Sequence, residues 1–315
     1  MSSHFIPYTT TTYSQTKKPR PDCILLSLHG DDGKNFLSHY PIFEDLYKED
    51  LQSFFDFLSI ERDTGSNDVA HATAEKTSQE NHSLRIDVLE VRIPRGILDL
   101  GRTTAERGIR SVFEKEKHEE LVRELTQLHT KTFSNVQTAL QQLNKNGCWI
   151  DIHTMAPFSP ETEKNHIGPD PLVPHPQILH PYNEAYTNAH KNGERRSINI
   201  AIEIIEEKNA CLADKTLLHT LPLSFTTYNL AYRLNHPHPM ANCITAAYFM
   251  KTIGRGFFID IPKDYIAAES PEDTSRSLAH FHLDIEKIDT VTNSLGEGLL
   301  EYCNIKKKED TFFSS

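Results

Sequence analysis

Two short apolar runs that each end in a histidine constrain this chain more than any other feature of its sequence. Residues 24–28 (Ile-Leu-Leu-Ser-Leu) lead into His29, and residues 148–152 (Cys-Trp-Ile-Asp-Ile) lead into His153. The first run is followed at once by Gly30-Asp31-Asp32-Gly33, and such an abrupt end is typical of a buried strand that enters a tight turn. Ligands collect at the carboxyl ends of strands in open α/β sheets. The sequence therefore predicts a functional site at the edge where both histidines lie.

The residue types at these two strand ends are those of a catalytic zinc site. His29 and Asp32 form a His-x-x-Asp pair, and His153 is preceded by Asp151 at the spacing that places both side chains on one face of a strand. A catalytic zinc takes three protein ligands and leaves a fourth position for water. We therefore expect His29, Asp32 and His153 to bind Zn²⁺. The alternative that spacing alone leaves open is that these are ordinary polar residues at strand ends, since neither motif is rare.

Composition narrows the class of protein. The 315 residues suffice for one large α/β domain or two small ones, and a net charge of −11 argues against a nucleic-acid or anionic-membrane binder. Five widely spaced cysteines without a C-x-x-C pair indicate core residues in a reducing compartment. No apolar stretch approaches the roughly 18 residues that span a bilayer. We expect a cytoplasmic protein, although secretion without a signal peptide remains compatible with the sequence.

Hydrophobic periodicity predicts an alternation of strands and helices. Strands are expected at residues 22–29, 84–93, 148–153, 198–205 and 256–261, and helices at residues 42–60, 119–146, 212–234 (interrupted near Pro222) and 284–302. Gly147 is expected at the C′ position of the second helix. Three polar stretches are expected to lack regular structure: a flexible N-terminal arm at residues 1–21, an exposed insertion at 62–83, and a Pro- and His-rich loop at 157–181. The pattern predicts a single α/β domain at residues 22–315, with a mixed, largely parallel central sheet between helical layers.

Four segments, in chain order, resemble motifs of the N-formylglutamate amidohydrolase family and, more distantly, of aspartoacylases and zinc carboxypeptidases. They span roughly residues 22 to 265 and are Ser27-Leu28-His29-Gly30-Asp31-Asp32, Pro94-Arg95-Gly96-Ile97-Leu98-Asp99-Leu100-Gly101-Arg102, Asp151-Ile152-His153-Thr154-Met155-Ala156-Pro157, and Ile244-Thr245-Ala246-Ala247-Tyr248 followed by Gly256-Phe257-Phe258-Ile259-Asp260-Ile261. The resemblance implies a three-layer, phosphorylase/hydrolase-like sandwich. It also implies that zinc activates a water molecule to cleave an amide bond.

The resemblance assigns roles to further residues. Asp260, an ionisable group inside an apolar strand, is the expected general base, and Glu203 is the reserve base. Arg95, Arg102 and Tyr248 are expected to hold a carboxylate-bearing small-molecule substrate, because the planar guanidinium binds carboxylates through two hydrogen bonds. Arg195 and Arg196 are further cationic candidates. Asp99 is expected to hold one of the arginines, and Asp151 to orient the metal site, although Asp151 can equally be a turn or helix-cap carboxylate.

Three departures from the family pattern leave the function open. Gly101 stands where the family has Asn, Ala246 where it has Arg, and Asp260 where it has Glu. The first hypothesis is a zinc-dependent amidohydrolase that cleaves the C–N bond of a small N-acyl or N-formyl amino acid. The second is a carboxypeptidase-like enzyme that trims peptides or peptidoglycan stems. The third is a binding protein that kept the fold without the catalysis.

Overall fold

The computed structural model describes residues 5–110, 112–155, 196–207, 211–236, 239–268 and 282–313. Its strands are β1 (Tyr8–Ser14), β2 (Cys23–Ser27), β3 (Arg85–Val91), β4 (Cys148–Met155), β5 (Ile198–Ile200), β6 (Tyr232–Leu234), β7 (Gly256–Pro262), β8 (Ala267–Ala268) and β9 (His282–Leu283). Its α-helices are α1 (Lys34–His39), α2 (Ile42–Leu46), α3 (Leu51–Glu61), α4 (Ser66–Glu80), α5 (Ala105–Gly108), α6 (Glu119–Gln141), α7 (Lys215–Thr227), α8 (Thr245–Thr252) and α9 (Ile285–Phe313). The predicted loop at residues 157–181 and Arg195 lie outside the described residues.

A mixed, mostly parallel sheet of seven strands forms the centre of the molecule, in the order β1-β3-β2-β4-β7-β5-β6. Strands β3, β2, β4 and β7 are mutually parallel, whereas β1 is antiparallel to β3 and β5 is antiparallel to β7. The parallel strands therefore bring their carboxyl ends to one edge of the sheet. Every residue of β2 and β4 is buried, which explains why these strands appear in the sequence as continuous apolar runs rather than as alternating ones.

Helices cover both faces of this sheet. Helix α4 packs on β1 to β4, and α9 packs against α4 and α7. On the opposite face Phe249 of α8 lies between Trp149 of β4, at a ring-centroid distance of 6.3 Å, and Phe133 of α6, at 5.1 Å. The predicted α/β sandwich with a mixed, largely parallel sheet is confirmed. All five cysteines are free. Among the described residues, no helix is both long and apolar enough to cross a membrane.

The largest difference from the sequence-based prediction is helix α4, which occupies the stretch expected to be an exposed insertion. Its buried side chains recur at helical spacing, but they are small or hydroxylated: Ser66, Val69, Ala70, Thr73, Ala74, Thr77 and Ser78. A hydrophobicity pattern does not mark such residues as apolar, because most of them are polar or small by type. They allow the helix backbone to approach the sheet closely, and this close packing offsets the low hydrophobicity of the segment.

Smaller differences concern element ends. Residues 198–205 form only the three-residue strand β5, and residues 212–234 divide into α7, which continues through Pro222, and strand β6. Helix α6 ends with Gln142 as its C-cap, so Gly147 is not at the C′ position. Within the predicted flexible arm, β1 pairs with β3 along its whole length and forms one of the two edge strands of the sheet.

Candidate metal centre

The two histidines predicted from the sequence meet at the carboxyl edge of the sheet. Strands β2 and β4 are adjacent and parallel, with Leu26 paired to Asp151, so the residues that end the two runs emerge side by side. The rings of His29 and His153 lie 5.0 Å apart between centroids, and their Nδ1 atoms are 3.3 Å apart. Both histidines are buried, with 3% and 7% of the residue surface exposed.

Asp63, in the turn between α3 and α4, supplies the acidic member of this group. Its Oδ2 atom lies 2.8 Å from Nδ1 of His153 and 3.4 Å from Nδ1 of His29. Two backbone interactions place this turn: the Asp63 N–H donates to the carbonyl of His29 at 3.0 Å, and the Thr154 hydroxyl donates to the carbonyl of Thr64 at 3.0 Å. The turn is therefore attached to the ends of both strands that carry the histidines.

The donor atoms of this group suit a divalent metal ion. Nδ1 of His29, Nδ1 of His153 and Oδ2 of Asp63 lie 2.8 to 3.4 Å from one another. Tetrahedral zinc with bonds of about 2.0–2.2 Å requires its ligands to be roughly 3.3–3.6 Å apart. Two neutral imidazoles and a carboxylate also match the ligand preference of zinc. Among the described residues this is the one group of three or more His, Cys, Asp or Glu side chains that can hold a metal ion.

Each histidine presents its second ring nitrogen to another carboxylate. Nε2 of His29 lies 2.9 Å from Oδ1 of Asp99, and Nε2 of His153 lies 3.0 Å from Oδ2 of Asp151. Burial favours the neutral ring and so lowers the pKa of His153, but the charges of Asp151 and Asp63 outweigh it and hold that pKa well above its ordinary value. A carboxylate behind a metal-ligating imidazole fixes the ring orientation and leaves the other nitrogen for the metal.

Three arginines surround Asp99, and one of them, Arg95, connects it to Asp63. Oδ2 of Asp99 lies 3.2 Å from Nε of Arg102, 3.7 Å from Nη1 of Arg110 and 3.9 Å from Nε of Arg95. Arg95 also contacts Oδ1 of Asp63 at 3.2 Å. Burial would raise the pKa values of Asp63 and Asp99, but hydrogen bonds from the histidines and the nearby arginine charges hold both well below the ordinary value. Both carboxylates are therefore ionised in the protein interior, and the nearby histidines and arginines compensate their negative charge.

Asp32, the carboxylate that the sequence predicted as a metal ligand, lies outside this group. Its side chain is 38% exposed and pairs with Nζ of Lys34 at 2.9 Å, and its Oδ1 atom accepts a hydrogen bond from the Lys34 N–H at 3.1 Å. The glycine-rich turn after His29 directs Asp32 to the surface, whereas Asp63 approaches from the α3–α4 turn. The structure thus brings His29 and His153 together as predicted, but with Asp63 rather than Asp32 beside them.

Asp260 on β7 lies next to the metal group. In the parallel pairing of β4 and β7 it is directly opposite His153. Its Oδ1 atom is buried and makes no hydrogen bond within the described part of the chain. Burial and the charge of Asp63 raise the pKa of Asp260, the charges of His153, Arg95 and Arg196 oppose the rise, and the resulting pKa is about 6. A carboxylate with a pKa near neutrality is suited to accept and return a proton.

The contacts of Glu203 and Tyr248 in the described part of the chain are with residues other than His29, Asp63 and His153. Glu203 follows β5 and is half-buried; its backbone N–H donates to Oδ1 of Asn235 at 3.1 Å. Within the part of the chain that is described, no ion pair joins its carboxylate to the metal group. Tyr248 on α8 accepts a hydrogen bond from Nε2 of Gln137 at 3.4 Å and packs on Phe133 of α6. Its hydroxyl therefore contacts helix α6.

Gly101 has a local reason to lack a side chain. A Cβ atom at this position would lie 2.8 Å from Cε1 of His29 and 2.9 Å from Oδ1 of Asp99. The Gly101 N–H also donates to Oδ1 of Asp99 at 2.8 Å. The backbone therefore occupies the space beside His29 that a side chain would need, and Asn, the family residue, does not fit without movement of the histidine.

Sequence reasoning missed Asp63, together with Glu61, Arg110 and Lys263. Glu61 and Arg110 form a buried ion pair at 2.6 Å, and Nζ of Lys263 donates to the carbonyl of Ile60 at 3.3 Å. Burial lowers the pKa of Lys263 to about 8, although the charges of Asp63 and Glu61 oppose this. One signal was present: Asp63-Thr64-Gly65 closes the apolar residues of α3 in the way that Gly30-Asp31-Asp32-Gly33 closes those of β2.

Comparison with solved structures agrees with this architecture. N-formylglutamate amidohydrolase from Ralstonia eutropha JMP134 matches with a TM-score of 0.51 and 12% sequence identity, over 96% of this chain and 98% of that chain. A gene product from Agrobacterium tumefaciens matches with a TM-score of 0.53 and 12% identity, over 96% of each chain. No protein-family model and no curated protein sequence matches this chain. The predicted resemblance is therefore confirmed in the fold: this chain has the fold of N-formylglutamate amidohydrolase.

Proposed function

We propose that this protein is a zinc-dependent amidohydrolase that cleaves the C–N bond of a small N-acyl or N-formyl amino acid. The observation that carries the proposal is the convergence of Nδ1 of His29, Nδ1 of His153 and Oδ2 of Asp63 within 3.4 Å of one another in the protein interior. The shared fold supports the proposal independently. Zn²⁺ would be held by these three side chains, so the ligand set differs from the sequence-based one by Asp63 in place of Asp32.

The surrounding residues have separate roles in this proposal. When bound, the metal would supply a Lewis acid that polarises the acyl carbonyl and lowers the pKa of water. Asp260 accepts the proton that water loses and returns it to the departing nitrogen, a role that suits its pKa of about 6. Asp99 and Asp151 hold the two imidazoles in place, and the arginines around Asp99 keep that carboxylate ionised.

The metal assignment is tested by zinc analysis of the purified protein and of four single variants. His29→Ala, His153→Ala and Asp63→Ala each remove one of three protein ligands, so zinc stoichiometry is expected to fall far below that of the parent. Asp32→Ala is the matched control, because it removes a carboxylate only three residues from His29 but outside the group. Circular dichroism of each variant checks that the fold is retained. Zinc loss in Asp32→Ala together with full zinc content in Asp63→Ala would refute the proposed ligand set.

The activity is tested with zinc-loaded protein and N-formyl-L-glutamate, by measuring the release of formate. Turnover that disappears with chelator and returns with zinc is the expected result. N-acetylated amino acids and short peptides are assayed in parallel, because cleavage of peptides alone would favour the carboxypeptidase-like hypothesis. Stoichiometric zinc without hydrolysis of any of these compounds would contradict the proposed activity and favour a binding protein with this fold.

A further inference from the structure

A cavity of about 320 Å³ lies at the edge of the sheet opposite to the metal group. Its walls are the segments that precede β2, β3 and β4, together with the C-terminal half of α9. Because these three strands are parallel, their amino ends meet at this edge, whereas His29 and His153 lie at the carboxyl ends of β2 and β4. The cavity is therefore separate from the metal group, and its size suits a small molecule.

The charged groups around this cavity are mostly lysines. Four lysines and two aspartates contribute to its lining: Lys18, Lys145, Lys306, Lys307, Asp22 and Asp310. The balance of charge is therefore positive here, although the whole chain has a net charge of −11. Like charges gathered around one cavity repel one another, and a bound anion relieves that repulsion. The cavity thus has the charge of an anion site.

Asp22 forms part of the wall, and its carboxylate is already hydrogen-bonded within the protein. It is 9% exposed, and its Oδ2 atom accepts hydrogen bonds from Nζ of Lys18 at 2.7 Å and from the N–H of Arg85 at 2.8 Å. Its Oδ1 atom accepts a further hydrogen bond from Nδ2 of Asn144. These bonds join the segments before β2 and β4 to the start of β3. Asp22 therefore fixes the shape of the cavity.

Two arginines hold the backbone segments that carry Lys18 and Lys145. Nη1 of Arg85 donates to the carbonyl of Lys18 at 2.8 Å, and Nη1 of Arg255 donates to the carbonyl of Lys145 at 3.0 Å. The other two lysines are on helix α9, whose backbone is fixed by its own hydrogen bonds. The fold therefore sets the positions of all four lysines at the cavity.

Lys307 and Lys145 carry charge that is available to a ligand. Nζ of Lys307 donates to the uncharged hydroxyl of Ser83 at 3.1 Å, and it forms no ion pair within the described part of the chain. Nζ of Lys145 lies 3.9 Å from Asp310, which is a long distance for an ion pair, and its side chain is 90% exposed. Neither ammonium group is therefore closely compensated by a carboxylate.

Lys307 and Lys18 act on the same point of the cavity wall, the thiol of Cys303. Burial is the largest influence that raises the pKa of Cys303, and the charges of Cys148 and Asp22 raise it further. The charges of Lys307 and Lys18 oppose this rise, although the two lysines belong to different segments. An anion beside Cys303 is therefore attracted by both ammonium groups.

We propose that this cavity binds the phosphate group of a small anion through Lys307, Lys145 and Lys18. Lysine carries a compact charge that binds phosphate, whereas the planar fork of arginine suits carboxylates, and the described lining contains lysine but no arginine. Lys18 keeps donors for the ligand, because an ammonium group has three. Lys306 is paired with Glu309 at 3.0 Å and has no part in the proposal. The site requires neither the metal nor hydrolysis, so it is independent of the proposed amidohydrolase function.

The test measures the binding of inorganic phosphate by calorimetry at low ionic strength. The parent is expected to bind phosphate, and added salt should weaken the binding. Lys307→Met should weaken it by roughly tenfold, as expected for the loss of one charge-assisted hydrogen bond. Lys308→Met is the matched control and should bind as the parent does, because Lys308 is the next residue of α9, is exposed and lies outside the lining. Asp310→Asn should tighten binding, since it removes a negative charge from the lining, and a damaged fold would not produce this result.

Phosphate can also bind a zinc ion, so the measurement is repeated with His29→Ala, in which the affinity should be unchanged. Glycerol 3-phosphate is compared with inorganic phosphate, because the two present the same group. Tighter binding of the monoester identifies a phosphorylated metabolite as the ligand, tighter binding of inorganic phosphate identifies the free ion, and both results support the site. The proposal is overturned by absence of binding in the parent, by equal losses in Lys307→Met and Lys308→Met, or by loss of binding in His29→Ala. Succinate that binds as tightly as phosphate would overturn the assignment to phosphate.

Discussion

Replacing Asp260 by Asn should make the metal-free protein more stable, and increasingly so as the pH rises. Asp260 is buried beside Asp63, its Oδ1 has no hydrogen bond among the described residues, and its pKa is raised from 3.8 to about 6. A carboxyl group with a raised pKa in the folded state holds its proton longer there than in the unfolded chain. Its ionisation therefore costs folding free energy, and this cost grows between pH 4 and pH 6.

The magnitude follows from the pKa of Asp260 in the two states. Each pH unit of difference corresponds to about 1.4 kcal/mol, so a rise from 3.8 to about 6 costs about 3 kcal/mol once the group is ionised in both states. The cost is about 1 kcal/mol at pH 4.5 and about 3 kcal/mol at pH 7.5. The free energy of unfolding of Asp260→Asn relative to the parent should therefore increase by about 2 kcal/mol over this range. Any constant effect of the new amide cancels in that difference.

The assay is urea unfolding of parent and variant between pH 4.5 and pH 7.5 in the presence of a chelator, because a bound cation would itself favour the ionised carboxylate. Asp32→Asn is the control. Burial tends to raise the pKa of Asp32, but its interactions with Lys34 lower it overall from 3.8. That carboxylate is therefore ionised in both the folded and the unfolded state above about pH 4.5, so the stability difference between Asp32→Asn and the parent should stay nearly constant over the same range. A pH-independent difference between Asp260→Asn and the parent would refute the reasoning, since it would mean that Asp260 is not destabilised by burial.

Two further outcomes are expected. In zinc-loaded protein, Asp260→Asn should retain the metal but lose most turnover, because the amide cannot accept the proton. Asp260→Glu should preserve or raise turnover. Unchanged turnover in Asp260→Asn would instead assign the role of general base to Glu203. Gly101→Ala should lower the free energy of unfolding by about 1–3 kcal/mol and weaken zinc binding, because its Cβ would lie 2.8 Å from Cε1 of His29. Denaturant unfolding measures the first effect, and zinc titration measures the second. Parental values in both measurements would show that His29 moves without cost.

The sequence by itself determined the elements with strong hydrophobic patterns and the residues at their ends. Strands β2 and β4 are buried on both faces, so their apolar runs are continuous, and the polar residues that follow mark the strand ends. The positions of His29 and His153 in neighbouring parallel strands follow from that pattern. Helix α6 was predictable for a related reason, because its buried residues Leu121, Leu125, Val136 and Leu140 recur at helical spacing.

The tertiary structure decided which carboxylate joins the histidines. Asp32 is three residues from His29, yet the turn directs it to Lys34 and to solvent, whereas Asp63 is brought in by the α3–α4 turn. Local sequence patterns describe single elements, and they do not specify how a turn between two helices docks on strands that are distant in sequence. Local patterns failed to predict helix α4 for the same reason, because its small buried residues pack well only against this sheet.

The roles of the arginines depend on the tertiary structure for the same reason. Arg95, Arg102 and Arg196 are chemically identical, and no local pattern distinguishes an arginine that compensates a buried carboxylate from one that lies elsewhere. Asp99 engages the first two from within the protein interior, whereas Nη1 of Arg196 lies 3.7 Å from Sδ of Met155. The role of a charged side chain depends on the partners within a few ångströms of it, because Coulomb interactions fall with distance and with solvent screening. Only the folded chain sets those distances.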